Sequence, residues 1–314
     1  MAKADMAVII VNWKVRDLLK KCLDSILIYQ KNYQLEIFVV DNDSQDGSAE
    51  MLKDDYPMVS LMALEKNIGF GAANNLAIKK ATGEYIFLLN PDTEITADFF
   101  EKAFSYMQNN PAVGILGPRI INSDGSQQAS IRNLPNLLSQ SLTLFKLQNI
   151  LCIDKPLEPY IHKVFVRPVL KIRKLFSNSK VLRHYLAEDF DYNKEQAVDQ
   201  IMGAAMFIRR SVFDKIGVFD TKFFVWFEEV DLCEQAKKAG ILIKYFPEAI
   251  IIHWGGQSFS QSHTLKKQLI FNKSLLYYFF KHKPFIQTLI IFLLIPINIG
   301  LTLIYVTFFK NKGK

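Results

Sequence analysis

Apolar and polar positions follow a regular pattern through the first half of the chain. Residues 6–13 form an apolar run. The segment VRDLLKKCLDSILIYQ then sets Leu18, Leu19, Cys22, Leu23 and Ile26 on one helical face, with charges opposite. LEIFVVDNDS reads as a second buried strand that ends in polar residues, Ser48 to Asp54 as a short helix, and VSLMALE as a third strand. Ala72 to Ala81 makes a helix and YIFLLN a fourth strand. Near-continuous apolar strands separated by helices predict an α/β fold with a mostly parallel central sheet, covered on both faces.

Beyond residue 110 the rhythm changes. AVGILGPRII predicts a strand, followed by a tight turn at Asp124-Gly125. AVDQIMGAAMFIRR returns to strand character. EEVDLCEQAKKAG is a helix with acids in its first turn, lysines in its last and Gly240 to stop it. ILIKYFPEAIIIHW is a further strand, ending at His253-Trp254. Between about 137 and 190 the chain is irregular and basic, with nine Lys and Arg against four Asp and Glu, interspersed with Phe165, Val169, Leu170 and Phe176. Residues 285–309 carry no charge and are flanked by Lys281, Lys283, Lys310 and Lys312. That run is long enough to cross a bilayer as a helix, while Pro296, Asn298 and Gly300 also permit a hairpin lying in one leaflet. The expected organisation is a catalytic domain over 1–262, with the basic insert at 137–190, and a C-terminal membrane-associated helical segment over 263–314.

Composition narrows the partners. Of 314 residues half are apolar, 25 are phenylalanine, and the net charge is +7. A basic chain suits an anionic partner. Its basic residues gather beside the greasy insert rather than along one regular helix, so nucleic acid is not expected. Cys22, Cys152 and Cys233 are far apart and lack CxxC spacing, which argues against a disulfide framework or a zinc site and fits a reducing compartment. The N-terminal apolar run is too short for a signal peptide and reads as the first strand. The catalytic part is therefore expected at the cytoplasmic face of a membrane.

The candidate chemistry sits where strands end. Asn12, Asp41 to Ser44, Asn67 to Gly71 and Asn90 to Glu94 all follow carboxyl ends of strands, the edge at which open α/β sheets bind ligands. A carboxylate at Asp92, near Asp41 and Asp43, is costly unless a cation joins them. A hard divalent ion, Mg²⁺ or Mn²⁺, bridging to a diphosphate would supply that charge, and His253 could complete the ligand set. In FVWFEEVDLC, Glu228, Glu229 and Asp231 complement a helix dipole. A carboxylate beside aromatic walls can also serve as a general base. Gly69-Phe70-Gly71 resembles half of a dinucleotide fingerprint, which keeps a nicotinamide-dependent oxidoreductase as an alternative.

The ordered set VIIVNW, VVDNDSQDGS, NIGFGAANN, LLNPDTEI, GAAMFIRR, FFVWFEEVDLC and YFPEAIIIHWGG resembles the family 2 glycosyltransferases, in particular their rhamnosyltransferase-like branch, over roughly residues 5–260. The resemblance implies the GT-A nucleotide-sugar-binding fold. Asn12 would line the base pocket, with Asp41 reading the base edge and Asp43 near the ribose. The loop at Asn67, Gly69 and Asn74 would close over the nucleotide. Asn90-Pro91-Asp92 takes the place of the Asp-x-Asp metal motif, with Asp92 and His253 as metal ligands. Glu229 matches the family's general base, one methylene longer than the usual Asp, so Glu228 or Asp231 could share the role. The implied reaction is inverting transfer from a nucleoside-diphosphate sugar, rhamnose being one candidate, to a lipid-linked or glycan acceptor in cell-envelope polysaccharide synthesis. With Asn90 in place of the first acid, a catalytically silent membrane-bound scaffold is a further alternative.

Overall fold

The computed structural model describes residues 4–30, 33–145, 180–255 and 264–309. The chain divides into two compact units, residues 1–132 with 191–261, and residues 133–190 with 262–314.

The first unit is built on a sheet whose strands, in chain order, are β1 (Met6–Asn12), β2 (Leu35–Asp41), β3 (Ser60–Ala63), β4 (Tyr85–Leu89), β5 (Thr93–Ile95), β6 (Val113–Ile121), β8 (Gln196–Ala197), β10 (Ala205–Arg209) and β11 (Leu242–His253). A separate ribbon pairs β7 (Ile131–Arg132) with β9 (Gln200–Ile201). The order is β3-β2-β1-β4-β10-β6-β11-β5, with β8 also on β11. β3, β2, β1 and β4 are mutually parallel. β10 runs antiparallel between β4 and β6, and β6 is parallel to β11. Six of these strands therefore share one direction, while β5, β8 and β10 oppose it.

Helices cover both faces. They are α1 (Arg16–Tyr29), α2 (Ser48–Asp55), α3 (Phe70–Ile78), α4 (Phe99–Asn109), α7 (Arg210–Ile216) and α8 (Glu228–Lys238). β1 is buried at all seven positions. Met6, Val8 and Ile10 join Leu19, Cys22, Leu23 and Ile26 of α1 in one core cluster, and α3 contacts β1 as well. A strand covered twice has no polar face to show, which is why it reads as an unbroken apolar run.

Three details depart from the expected pattern. Thr93–Ile95, expected as a polar loop, is β5, paired with the end of β11 through His253↔Thr93 and Ile251↔Ile95. Three residues are too few to show a period of two. Ser25 of α1 fixes β5 in place, its hydroxyl accepting from the Ile95 N–H at 3.1 Å. The AVDQIMGAAMFIRR segment is not one strand but β8, β9 and β10 in succession. α3 begins at Phe70, two residues before the sequence suggests. The turn at Asp124-Gly125 is present, with Gly125 at φ +82° and a single bridge between Ile121 and Gln127.

The second unit contains α5 (Leu137–Leu144), α6 (Lys180–Tyr185), α9 (Leu265–His282) and α10 (Phe285–Phe309). A capping box between Asn136 and Ser139 starts α5. α10 includes Phe285–Leu303, the one helical stretch among the described residues long and apolar enough to cross a membrane, with 22% of it buried. The buried side carries Thr288, Ile291, Asn298 and Thr302, whereas Phe285, Ile286, Phe292, Leu293 and Ile297 are exposed. A polar thread crosses the unit. Gln268 donates to Asn272 at 3.0 Å, Asn272 donates to Asn298 at 3.0 Å, and Asn298 donates to the Leu144 carbonyl. Phe165, Val169, Leu170 and Phe176 of the basic insert lie outside the described residues.

Candidate active site

The carboxyl edge of the parallel strands gathers most of the predicted polar residues. Asn12, at the end of β1, is fully buried and donates to the Asp41 carboxylate at 2.8 Å and to the Ser44 hydroxyl at 3.0 Å. Its own amide oxygen is buried without a hydrogen-bond partner. Asp41 also accepts from the Ser44 N–H at 3.3 Å. Asp43, in the left-handed region at φ +65°, accepts from Gln45. Asn42 ties this loop to the next one, donating to Asn67 at 3.1 Å and accepting from the Ile68 N–H at 2.9 Å.

A cavity of about 150 Å³ opens here, lined by Trp13, Asn42, Asn67, Gly69, Asn90 and Phe224 among others. Gly69 has φ +91°, and a Cβ on it would stand 2.3 Å from the Phe224 carbonyl oxygen. That carbonyl accepts from the Phe70 N–H at 2.9 Å. The glycine thus admits a protein carbonyl to the start of α3, where a dinucleotide fingerprint would seat a pyrophosphate. Asn74 is turned away, donating to the Phe70 carbonyl one helical turn back. Its neighbour Asn75 both donates to the Phe219 carbonyl at 2.8 Å and accepts from the Phe219 N–H at 3.0 Å. This pins the segment leading to α8.

Asp92 and His253 meet. The register of β5 on β11 places them side by side, with the Trp254 N–H donating to the Asp92 carbonyl at 2.9 Å. His253 Nε2 lies 3.3 Å from Asp92 Oδ1, and both side chains are buried. His253 Nδ1 faces the Gln128 amide oxygen at 2.7 Å, while the Gln128 amide nitrogen donates to Asn122 at 2.8 Å. The Gln128 oxygen is an acceptor, so Nδ1 carries a proton and, in the neutral ring, Nε2 turns a lone pair toward a carboxylate. A proton or a metal ion can bridge Nε2 and that carboxylate, and an outer hydrogen bond of this kind also orients a metal-ligating imidazole. The residues therefore fit a divalent ion.

The expected gathering of Asp92 with Asp41 and Asp43 does not occur. β1 lies between β2 and β4, which sets the strand carrying Asp41 roughly 10 Å from the one leading to Asp92. Among the described residues no group of three or more His, Cys, Asp or Glu side chains is placed to hold a metal. The Asn90 side chain has no hydrogen bond among the described residues. Its carbonyl accepts from Thr93 Oγ1 at 2.7 Å, with Cys22 beneath at 3.8 Å. Burial pushes the Cys22 thiol up to about 12, so it packs under the turn as a neutral group.

The three acids of α8 are separated by their helical positions. Asp231 is fully buried and accepts from Gln235 at 2.8 Å. Glu228 is 3% exposed and one of its carboxylate oxygens has no partner. Burial, reinforced by the charge of Glu229, holds the Glu228 carboxyl well above the usual carboxylate range. Glu229 is only half-buried and flanks Gly203, whose absent Cβ would touch it at 3.5 Å. Burial raises its carboxyl too, while its backbone N–H and the Arg132 guanidinium on the β7–β9 ribbon pull it back. Immediately before α8, Trp226 and Phe227 both adopt left-handed backbone conformations, at φ +65° and +70°. Two bulky residues in that region carry strain of order 1–3 kcal/mol each, a feature that clusters at functional sites. Sequence reasoning missed Gln128 and Asn75, and no local pattern marks either.

Comparison with known proteins bears on the family and the fold. Residues 7–217 match the family model for glycosyl transferase family 2. An N-acetylglucosaminyl-diphospho-decaprenol L-rhamnosyltransferase of Mycobacterium tuberculosis is 25% identical over 230 residues, covering 70% of this chain and 66% of the relative. The low-salt glycan biosynthesis hexosyltransferase Agl10 of Haloferax volcanii is 25% identical over 243 residues, covering 76% and 64% respectively. The chain thus spans slightly less than two thirds of the length of these curated relatives. Among solved structures, a mannosyltransferase of Pyrobaculum calidifontis in complex with GDP-Man and Mn²⁺ aligns with a TM-score of 0.52 at 16% identity, covering 100% of this chain and 77% of its own. GalNAc-T7 with UDP, GalNAc and Mn²⁺ aligns at 0.54 and 15% identity, covering 88% and 48%. The fold is GT-A. Neither an oxidoreductase nor a silent scaffold finds support in these comparisons, and the Phe224 carbonyl above Gly69 explains why the glycine pair misled.

Proposed function

The chain belongs to glycosyl transferase family 2, and from that membership we propose that it transfers a sugar from a nucleoside-diphosphate donor to a hydroxyl of a glycan acceptor, with inversion at the anomeric carbon. The observation that carries this reading is the buried Asp92–His253 pair at the carboxyl edge of a GT-A sheet.

The nucleoside would lie against the Asn12, Asp41 and Asn67 edge, where the unpartnered Asn12 amide oxygen awaits a donor. Asp92 and His253 would hold Mg²⁺ or Mn²⁺, which supplies positive charge opposite the diphosphate. Glu229 takes the proton from the acceptor hydroxyl as that oxygen attacks. Its raised basicity strengthens it for the task, and Arg132 keeps enough of it ionised. Glu228 is buried with its carboxyl raised further by the charge of Glu229, so it shapes the wall. Asp231 is engaged with Gln235 and lies outside the reaction.

The relatives' names favour envelope or surface glycans, one with a diphospho-polyprenol acceptor. An acceptor on such a lipid, presented at the cytoplasmic face of a membrane, suits the basic insert and the apolar α10. Rhamnose is the donor sugar this relationship favours.

The test is release of nucleoside diphosphate by the purified full chain across a panel of donor sugars, with Mn²⁺ present or chelated. Release from one donor, dependent on the ion, is expected. Glu229→Gln should keep nucleotide affinity and lose roughly 10²–10⁴-fold in turnover, the usual contribution of a general base. Unchanged turnover would remove Glu229 from that role, and release from no donor would overturn the assignment.

A further inference from the structure

The acidic residues stop at Glu248. From 249 to 314 the chain holds eight lysines and no Asp or Glu, one more positive charge than the net +7 of the whole protein. The other 248 residues carry a net charge of −1. The basic character that composition reports for the molecule therefore belongs entirely to the segment containing α9 and α10.

α10 is inside-out. Its polar side chains Thr288, Asn298 and Thr302 are buried, and Phe285, Phe292 and Leu293 face outward at 77%, 56% and 60% exposure. Such a helix seeks hydrocarbon. By length alone it could cross a bilayer, because 25 residues reach roughly 37 Å against a core of about 30 Å. Its partner could not. α9 offers only the 13 residues 268–280 between Lys267 and Lys281, roughly 20 Å of helix, and Lys273 stands near their middle.

The two helices are not independent. Asn272 of α9 donates to Asn298 of α10 at 3.0 Å, and Asn298 also donates to the Leu144 carbonyl of α5. A groove of about 380 Å³ runs between them, walled by Lys273, Tyr277 and Phe280 on α9 and by Phe285, Leu289 and Phe292 on α10. Were α10 to stand across a membrane, this pairing would carry Lys273 into the hydrocarbon with it, together with α5. Charged groups there are costly unless they reach the headgroups.

We propose that α9 and α10 lie together in the plane of one anionic leaflet, instead of crossing it. Phe280, Phe285, Phe292 and Leu293 enter the acyl region, and Lys273 reaches lipid phosphate from the groove wall. The other lysines of α9 then meet the headgroups of the same leaflet. This rests on the membrane reading above and goes beyond it, because it fixes the topology: both ends of α10 stay on one side.

The experiment adds the full chain to sealed preformed vesicles with and without 30% phosphatidylserine, using Lys312→Cys in a Cys152→Ser background. Cys22 and Cys233 are buried. Expected is sedimentation with the anionic vesicles, and maleimide labelling of residue 312 by an impermeant reagent as complete without detergent as with it. A combined Lys266→Ala, Lys267→Ala, Lys273→Ala variant should bind roughly a hundredfold more weakly, at about fivefold per lysine near the surface. Labelling that requires detergent would overturn the in-plane topology while leaving membrane binding intact. No sedimentation with any vesicle would sink the membrane reading itself and the topology with it. Equal binding to neutral vesicles would remove the lysine–phosphate part.

Discussion

Glu228 buries a carboxyl oxygen that finds no hydrogen-bond partner, so its protonated form is the cheaper one in the folded chain. In the unfolded chain it titrates near the ordinary value. Between those two pKa values the folded state holds the extra proton, and stability falls as pH rises through that window. Glu228→Gln, neutral at every pH, should remove most of that slope, read as melting temperature against pH from 4 to 9. An unchanged slope would mean that Glu228 does not carry it. At Glu229 the sign acts on turnover. The base must be ionised, its carboxyl is raised by burial, and Arg132 lowers it. The acidic limb of kcat against pH should therefore lie above the range of a free carboxylate, and Arg132→Ala should push it higher still. A limb that moves down or stays put would separate Arg132 from Glu229. At this scale the sequence was informative about position, placing Asp92 and His253 at strand ends where the structure brings them together. It was silent on Gln128, which orients His253 from 125 positions away.

Among the elements, the parallel half of the sheet was legible because β4 is wholly apolar, β1 is apolar up to Asn12, and β2 holds the buried run Ile37–Val40. The other half was not. Nothing in the AMFIR pattern of β10 reveals that it runs against its neighbours, and two- or three-residue strands such as β5 and β8 leave no periodic trace. Their positions come from side chains reaching across the fold, as Ser25 does for β5. The Asn75 amide does the same for the approach to α8, matching both polar groups of the Phe219 backbone. Asn75→Ala would leave a buried N–H and a buried carbonyl unpaired, at about 1–3 kcal/mol each. Urea denaturation should show a loss of roughly 2–5 kcal/mol. A loss under 1 kcal/mol would show that water or a shifted loop replaces the amide.

For the whole molecule, the ion site proposed at Asp92 and His253 would tie stability to ligand binding. Nucleoside diphosphate with Mn²⁺ at a hundredfold excess over its Kd should add about 2.7 kcal/mol to the folded state. The accompanying rise in melting temperature should shrink when the ion is chelated, or in His253→Ala. An equal rise without metal would take Asp92 and His253 out of nucleotide binding. The carbonyl of Phe224, lodged over Gly69 and held by the Phe70 N–H, has a consequence for timing. The cavity it helps wall measures about 150 Å³, against roughly 300–1,000 Å³ for sites that enclose a small ligand. A nucleotide sugar bound in this cavity would need the Phe224–Val225 wall to give way. Association should then be gated: in stopped flow the observed rate would climb with donor concentration and level off at the opening rate of the wall, a ceiling no increase in donor could raise.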